Sequence, residues 1–174
     1  MSAPFVAQVQ VRLLLQSSGK RYGPQEQDLA FDASSLPNPS QAARQGTGLS
    51  SKLQQDFFHQ EGVQQFFDDV VLQVEALYKT SVVGDPEDQK EDGDYDEEGC
   101  RIKVVGICCE FGKHRSVALV ERLAVELRAR GIVCTVVHHD IETQKTLKNQ
   151  QRARAHARDR KHQNHLPTDD ELYS

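Results

Sequence analysis

The stretch Arg101–Ser116, RIKVVGICCEFGKHRS, constrains the fold more than any other, because it joins two kinds of periodicity across one short polar loop. Residues 102–109 are apolar and rich in β-branched side chains, which predicts a strand. From Ser116 to Arg130 the apolar residues Val117, Val120, Leu123, Ala124 and Leu127 recur at helical spacing. Gly131 then stops the helix, and Ile132–His138 predicts another strand. A strand, helix, strand succession of this length implies parallel pairing with a right-handed crossover. The loop therefore falls at the carboxyl edge of the sheet, where open α/β sheets bind ligands. In it, Gly112, Lys113, His114 and Arg115 gather backbone N–H groups, a helix start and cationic side chains. That chemistry favours an anion, above all a phosphate.

The chain before this loop supplies the rest of an α/β core. Phe5–Gln16 alternates, with Phe5, Ala7, Val9, Val11, Leu13 and Leu15 on one face, and predicts a long first strand. Ser17, Ser18, Gly19 and Gly23-Pro24 are expected to end it in turns. Asp28–Ala33 predicts a shorter strand, followed by LPNPS, in which two prolines flank Asn38 and hold a restricted loop. Ser50 and Ser51 cap a helix that leads through Phe57 and Phe58. After Gly62, the series Val63, Phe66, Phe67, Val70, Val71, Val74, Leu77 and Tyr78 makes an amphipathic helix that packs on the sheet.

With 174 residues, 37% of them hydrophobic, and no Trp, the chain suits one modest domain with polar extensions. The fold class expected is a single α/β domain, a mostly parallel sheet with flanking helices, over residues 1–142. Two polar segments interrupt or extend it. Residues 81–99 are expected as an acidic flexible insertion, since Asp85–Glu98 carries nine acidic residues against Lys90 alone. Residues 143–174 are expected as a basic polar tail, with seven basic residues between Lys145 and Lys161 against Asp159 alone. The formal net charge of −5 argues against nucleic-acid binding by the whole surface, whereas the tail is a candidate RNA contact through Lys145, Lys148, Arg152, Arg154 and Arg158. No signal peptide and no apolar run of membrane-spanning length are apparent, which gives a soluble, intracellular expectation: cytoplasmic, with a nuclear location left open. Cys100, Cys108, Cys109 and Cys134 form no Cys-x-x-Cys pair, so reduced thiols are expected and no metal or other cofactor is called for.

Cys109 and Arg115 stand in Cys-x5-Arg order ahead of Ser116, which resembles the phosphate loop of the cysteine-dependent phosphatases. That resemblance implies Cys109 as a thiolate nucleophile, Arg115 as the phosphate clamp and Asp32 as a general acid. Cys108 stands where those enzymes carry a His.

The wider pattern resembles the C-terminal domain of the RNase adapter protein RapZ family, whose loop runs Cys-Thr-Gly-Gly-Lys-His-Arg-Ser. Cys109, Gly112, Lys113, His114, Arg115 and Ser116 match it, while Glu110 and Phe111 stand in place of Thr and Gly. DLAFDASSLPNPS and the later GTGLS resemble the family's Phe-Asp, Leu-Pro-Asn-Pro and Thr-Gly-Leu stretch, placing Asp32, Asn38, Thr47 and Gly48 on matching positions. Ser34 and Ser40 replace an Arg and a His of that pattern, and in VVHHDIE only His138 of an Arg-His-Arg stretch is kept.

This resemblance implies a non-enzymatic binding module for a small phosphorylated ligand, an aminosugar phosphate in the bacterial adapters, or an inorganic anion. Its ligand residues would be Cys109, Gly112, Lys113, His114, Arg115, Ser116, Asp32, Asn38 and His138. It also implies an adapter role toward RNA or, through the basic tail, an acidic protein, with an oligomer open. The family's preceding nucleotide-binding domain has no counterpart here, since no Gly-x4-Gly-Lys-Ser/Thr motif occurs, and ATP hydrolysis is not expected. Two readings stay beside it: the cysteine phosphatase, and a scaffolding domain whose pocket has decayed.

Overall fold

The computed structural model describes residues 10–22, 25–83 and 95–141. Four strands, β1 (Val11–Gly19), β2 (Leu29–Asp32), β3 (Arg101–Cys109) and β4 (Cys134–His138), form one sheet in the order β2-β3-β1-β4. Every pairing is parallel. Three helices accompany them: α1 (Ser51–Phe58), α2 (Val63–Val83) and α3 (Arg115–Ala129). Because all strands run one way, Gly19, Asp32, Cys109 and His138 end at the same edge, and the polar loop opens there as expected. The β3-α3-β4 crossover reaches past β1, which lies between the two strands.

Alternation along the strands decides which face is covered. Leu13, Leu15, Val105, Ile107, Cys109 and Cys134 join one buried cluster with Leu53 and Phe57 of α1, Val63, Phe67, Val70 and Val74 of α2, and Leu119, Leu123 and Leu127 of α3. Each large apolar side chain fully withdrawn from water contributes roughly 1.5–3 kcal/mol, so this cluster dominates the stability of the fold. On the other face Leu14, Ile102 and Val104 are half-buried, and Thr135 and Val137 are exposed. Helix α3 ends as its glycine predicts. Gly131 takes φ +78°, and the N–H groups of Gly131 and Ile132 donate to the carbonyls of Arg128 and Leu127, both at 3.0 Å.

The end of β1 differs from the sequence expectation. Ser17–Gly19, expected as turn, completes β1. This strand is central and laddered on both sides, and buried Ser17 satisfies its hydroxyl against His138 Nδ1 at 2.7 Å, so polar residues cost little there. Phe5, Ala7 and Val9 lie outside the described residues.

The acidic stretch expected over 81–99 is held at both flanks. Helix α2 runs on to Val83, with the Ser81 hydroxyl donating to the Leu77 carbonyl at 2.7 Å. On the far side Asp96 Oδ1 accepts the N–H groups of Glu98 and Cys100, and Arg12 pairs with Asp96 at 2.8 Å and Glu98 at 2.7 Å. Residues 84–94 lie outside the described residues. Among the described residues no helix is long and apolar enough to cross a membrane.

Candidate functional site

Backbone packing builds the loop between β3 and α3. Gly112 adopts φ +62°, and a Cβ there would stand 2.5 Å from the Gly19 nitrogen and 2.7 Å from Asp140 Oδ2. The end of β1 thus lies directly against the loop, and only glycine permits that approach. Asp140, 4% exposed, fixes the contact by accepting the Gly19 N–H at 2.7 Å. From the opposite side Gly48 donates its N–H to the Lys113 carbonyl at 2.9 Å, and a Cβ on Gly48 would run into the His114 carbonyl. The Thr-Gly-Leu and Gly-Lys-His-Arg-Ser stretches, far apart in sequence, are therefore one construction. His114 is the N-cap of α3 and offers no side-chain capping bond, while its carbonyl accepts Ala118 N–H at 2.9 Å. A helix start without a side-chain cap leaves its first N–H groups to partners from elsewhere in the fold.

Cys109 forms the floor. Its Sγ lies 3.2 Å from Ser116 Oγ and the residue is 3% exposed. Burial pushes the thiol pKa up, but the Ser116 hydroxyl and the N–H groups of Ser116, Gly112 and Phe111 outweigh it, and the net shift is downward. The N–H groups of Phe111, Gly112 and Ser116 are thus turned toward the sulfur. The His114 pKa is lowered, first by burial and then by the Lys113 charge, against the carbonyls of Gly46 and Arg44. The imidazole is accordingly neutral at physiological pH, and its Nε2 is buried without a hydrogen-bond partner in the protein.

Arg115 behaves differently from a simple phosphate clamp. It is 7% exposed, and its Nη1 donates to the carbonyls of Ser34 at 2.8 Å and Leu36 at 2.6 Å. The guanidinium ties the first turn of α3 to the segment entering Leu-Pro-Asn-Pro. Asn38 is exposed, and its carbonyl accepts from Gln60 at 3.0 Å. His138 is held within the covered face, its ring bridging Ser17 and Glu121 Oε1, the latter at 2.9 Å. Asp32, at the end of β2, accepts the Ser34 N–H at 2.9 Å and pairs with Lys20. Burial alone would raise its pKa, but Lys20 and Ser34 bring it down to about 2. A carboxyl so firmly ionised has no proton to give as a general acid at neutral pH.

Several residues at this edge escaped the sequence reading. Arg21 donates Nε to Glu110 Oε1 at 2.9 Å, and its guanidinium lies 4.5 Å from the Phe111 ring centroid. Lys20, Asp140 and Gly19 are the others. All lie at or just after a strand end, the one weak signal the sequence held. Among the described residues no group of three His, Cys, Asp or Glu side chains is placed to hold a metal. The tail residues Lys145, Lys148, Arg152, Arg154 and Arg158 lie outside the described residues.

Comparison with known proteins shows the family. Residues 11–142 match the family described as the RapZ C-terminal domain. A nucleotide-binding protein of Streptomyces avermitilis is 34% identical over 135 residues, covering 76% of this chain and 40% of the relative. One from Frankia casuarinae is 37% identical over 128 residues, covering 72% and 39%. Another, from a Thermotoga species, is 35% identical over 131 residues, covering 74% and 42%. The chain thus spans about two fifths of the length of these curated relatives. From the β1 strand through the end of the described residues, this chain belongs to the RapZ C-terminal domain family.

Proposed function

We propose that this domain is a non-enzymatic binding module whose loop from Glu110 to Ser116 takes a phosphate-type anion, such as the phosphate of a small phosphorylated ligand. The observation that carries the reading is an α3 N-terminus without a side-chain cap, directly preceded by Lys113, on a loop whose backbone is packed against Gly19 and Gly48. Helix dipole, oriented N–H groups and a cation act together in such a place. Arg115 contributes by holding the loop to the Ser34–Leu36 carbonyls rather than as the principal clamp. The basic tail is the proposed contact for RNA or an acidic protein, and the adapter role of the wider family enters here as part of the proposal.

The phosphatase reading has one point in its favour, the lowered pKa of Cys109. Against it stand the thiol's burial, the ionised Asp32 and the engagement of Arg115. The test is thermal unfolding in phosphate, sulfate and a panel of sugar phosphates, with hydrolysis of an aryl phosphate followed in parallel. A ligand of the folded state stabilises by about 2.7 kcal/mol at a hundred times its Kd. Stabilisation that disappears in Lys113→Met, with no turnover, supports the binder. Absence of any shift with every anion sinks it, and turnover abolished by Cys109→Ser would instead establish the phosphatase.

A further inference from the structure

Helices α2 and α3 lie side by side with a groove between them. Gln64, Phe67, Asp68, Val71, Leu72 and Glu75, three and four residues apart along α2, form one wall, and Arg122, Glu126 and Arg130 of α3 form the other, around a cavity of about 440 Å³. A second cavity of about 420 Å³ shares Gln64 and Arg122 with the first and is walled further on by Gln55 and Phe58 of α1. From Gln64 to Glu75 the α2 wall alone rises about 16 Å, the length of three helical turns. No residue of the Glu110–Ser116 loop lines either cavity.

Charge along this groove is unevenly matched. Arg130 holds Glu126 at 2.7 Å and pairs with Glu75 as well, and Asp68 accepts from Gln64 Nε2 at 2.8 Å. Arg122 differs. Among the described residues it makes no hydrogen bond or ion pair, and its guanidinium is backed by the Phe58 ring, 5.8 Å from the centroid. Leu72 is 67% exposed, whereas Phe67 and Val71 beneath it are nearly buried. Asp68, Glu75 and Glu126 make the groove unfavourable to a polyphosphate chain, so a nucleic acid does not fit it. A third helix does, because a helical ridge packs into the groove between two others. We propose that this groove docks an amphipathic helix of a partner protein, with one Asp or Glu set against Arg122 and apolar side chains of the next two turns packed on Val71 and Leu72. Arg122 then selects the partner's charge, and Leu72 supplies the apolar anchor.

The experiment is selection from a displayed library of amphipathic peptides of about four helical turns, with the full chain as bait, followed by fluorescence anisotropy of the selected peptides. They are expected to share an acidic residue at one position. Leu72→Lys weakens their binding roughly ten- to a hundredfold, the effect of losing one buried leucine. Arg122→Glu weakens it about five- to thirtyfold, and exchanging the peptide's acidic residue for Lys restores binding to that variant. Lys52→Glu, on an exposed residue of α1 that lines neither cavity, leaves affinity unchanged. Leu72 and Arg122 are both exposed, so the variants keep the fold, which circular dichroism checks. A library that yields no peptide sensitive to Leu72→Lys and Arg122→Glu overturns the proposal. An equal loss in Lys52→Glu overturns the assignment to Arg122, since net charge alone then accounts for it. Self-association of the full chain in sedimentation, abolished by Leu72→Lys, makes a second copy the occupant and overturns the choice of a partner protein.

Discussion

Replacing Gly112 by Ala tests whether the loop is held by the backbone contact described above. Two costs combine. At φ +62° an L-residue occupies the left-handed region, which costs about 1–2 kcal/mol. The new Cβ would also press on the Gly19 nitrogen at 2.5 Å and Asp140 Oδ2 at 2.7 Å. Neither is the free end of a flexible side chain, since Asp140 is itself bound to Gly19, so the strand end must shift; such overpacking costs about 1–3 kcal/mol. Gly131 provides the control. It takes φ +78° with nothing within 4 Å of its would-be Cβ, so Gly131→Ala carries the backbone cost alone. Urea unfolding of the two variants should therefore give about 2–5 kcal/mol of destabilisation for Gly112→Ala against about 1–2 for Gly131→Ala, with similar m values. Equal destabilisation of the two would refute the packed-loop argument, because the difference between them isolates the contact with β1.

Three other outcomes follow from the same geometry. Arg115→Ala deprives the carbonyls of Ser34 and Leu36 of their donor and should cost about 2–4 kcal/mol in guanidinium unfolding, since each unsatisfied buried group costs about 1–3; a near-neutral result would mean the guanidinium is not an anchor. Cys109 has a folded-state pKa below its ordinary value, so its thiolate stabilises the fold fully above the unfolded pKa, near 8.5, and this is lost as pH falls through the lower folded value. The stability gap between wild type and Cys109→Ala should widen from pH 7 to 9.5, and a flat gap would contradict the shift. Deleting residues 143–174 should leave unfolding of the remaining chain unchanged and remove salt-sensitive RNA affinity; an undiminished affinity would exclude the tail as the contact.

What the sequence made legible were the features set by periodicity and short-range chemistry. The apolar runs of β3 and α3 fixed the strand, the helix and the loop between them, and Gly131 fixed the stop. The parallel sheet followed from their succession. Ser17 and Ser18 misled because their composition speaks of turns, whereas burial and ladder pairing, with β3 for both and also with β4 for Ser17, decided their state. Side-chain direction was less accessible still. Cys109 and Arg115 flank the loop in sequence, but no spacing announces that one faces Ser116 and the other two carbonyls. Asp140 and Arg21 make their contacts across 121 and 89 residues of chain, and such pairings arise only once the sheet is assembled.

Glu110 and Phe111, the two departures from the family loop, meet in Arg21, and the pairing bears on how a carboxylate would be tolerated beside the proposed phosphate site. Two like unit charges about 8 Å apart at an effective dielectric of about 20 repel by about 2 kcal/mol, an upper bound for an exposed carboxylate such as Glu110. That corresponds to roughly a thirtyfold loss of affinity. With the guanidinium 2.9 Å away the pair is neutral as a whole, and its field falls off over a few ångströms. Arg21→Gln should therefore weaken phosphate binding by up to about thirtyfold at low salt, and less at 0.15 M, where the Debye length is about 8 Å. Adding Glu110→Gln removes the exposed charge and should restore most of the affinity. The restoration separates this account from a direct contact between Arg21 and phosphate: if the double variant binds as weakly as Arg21→Gln alone, Arg21 acts on the anion itself, and the neutralisation of Glu110 is not what keeps the site open to phosphate.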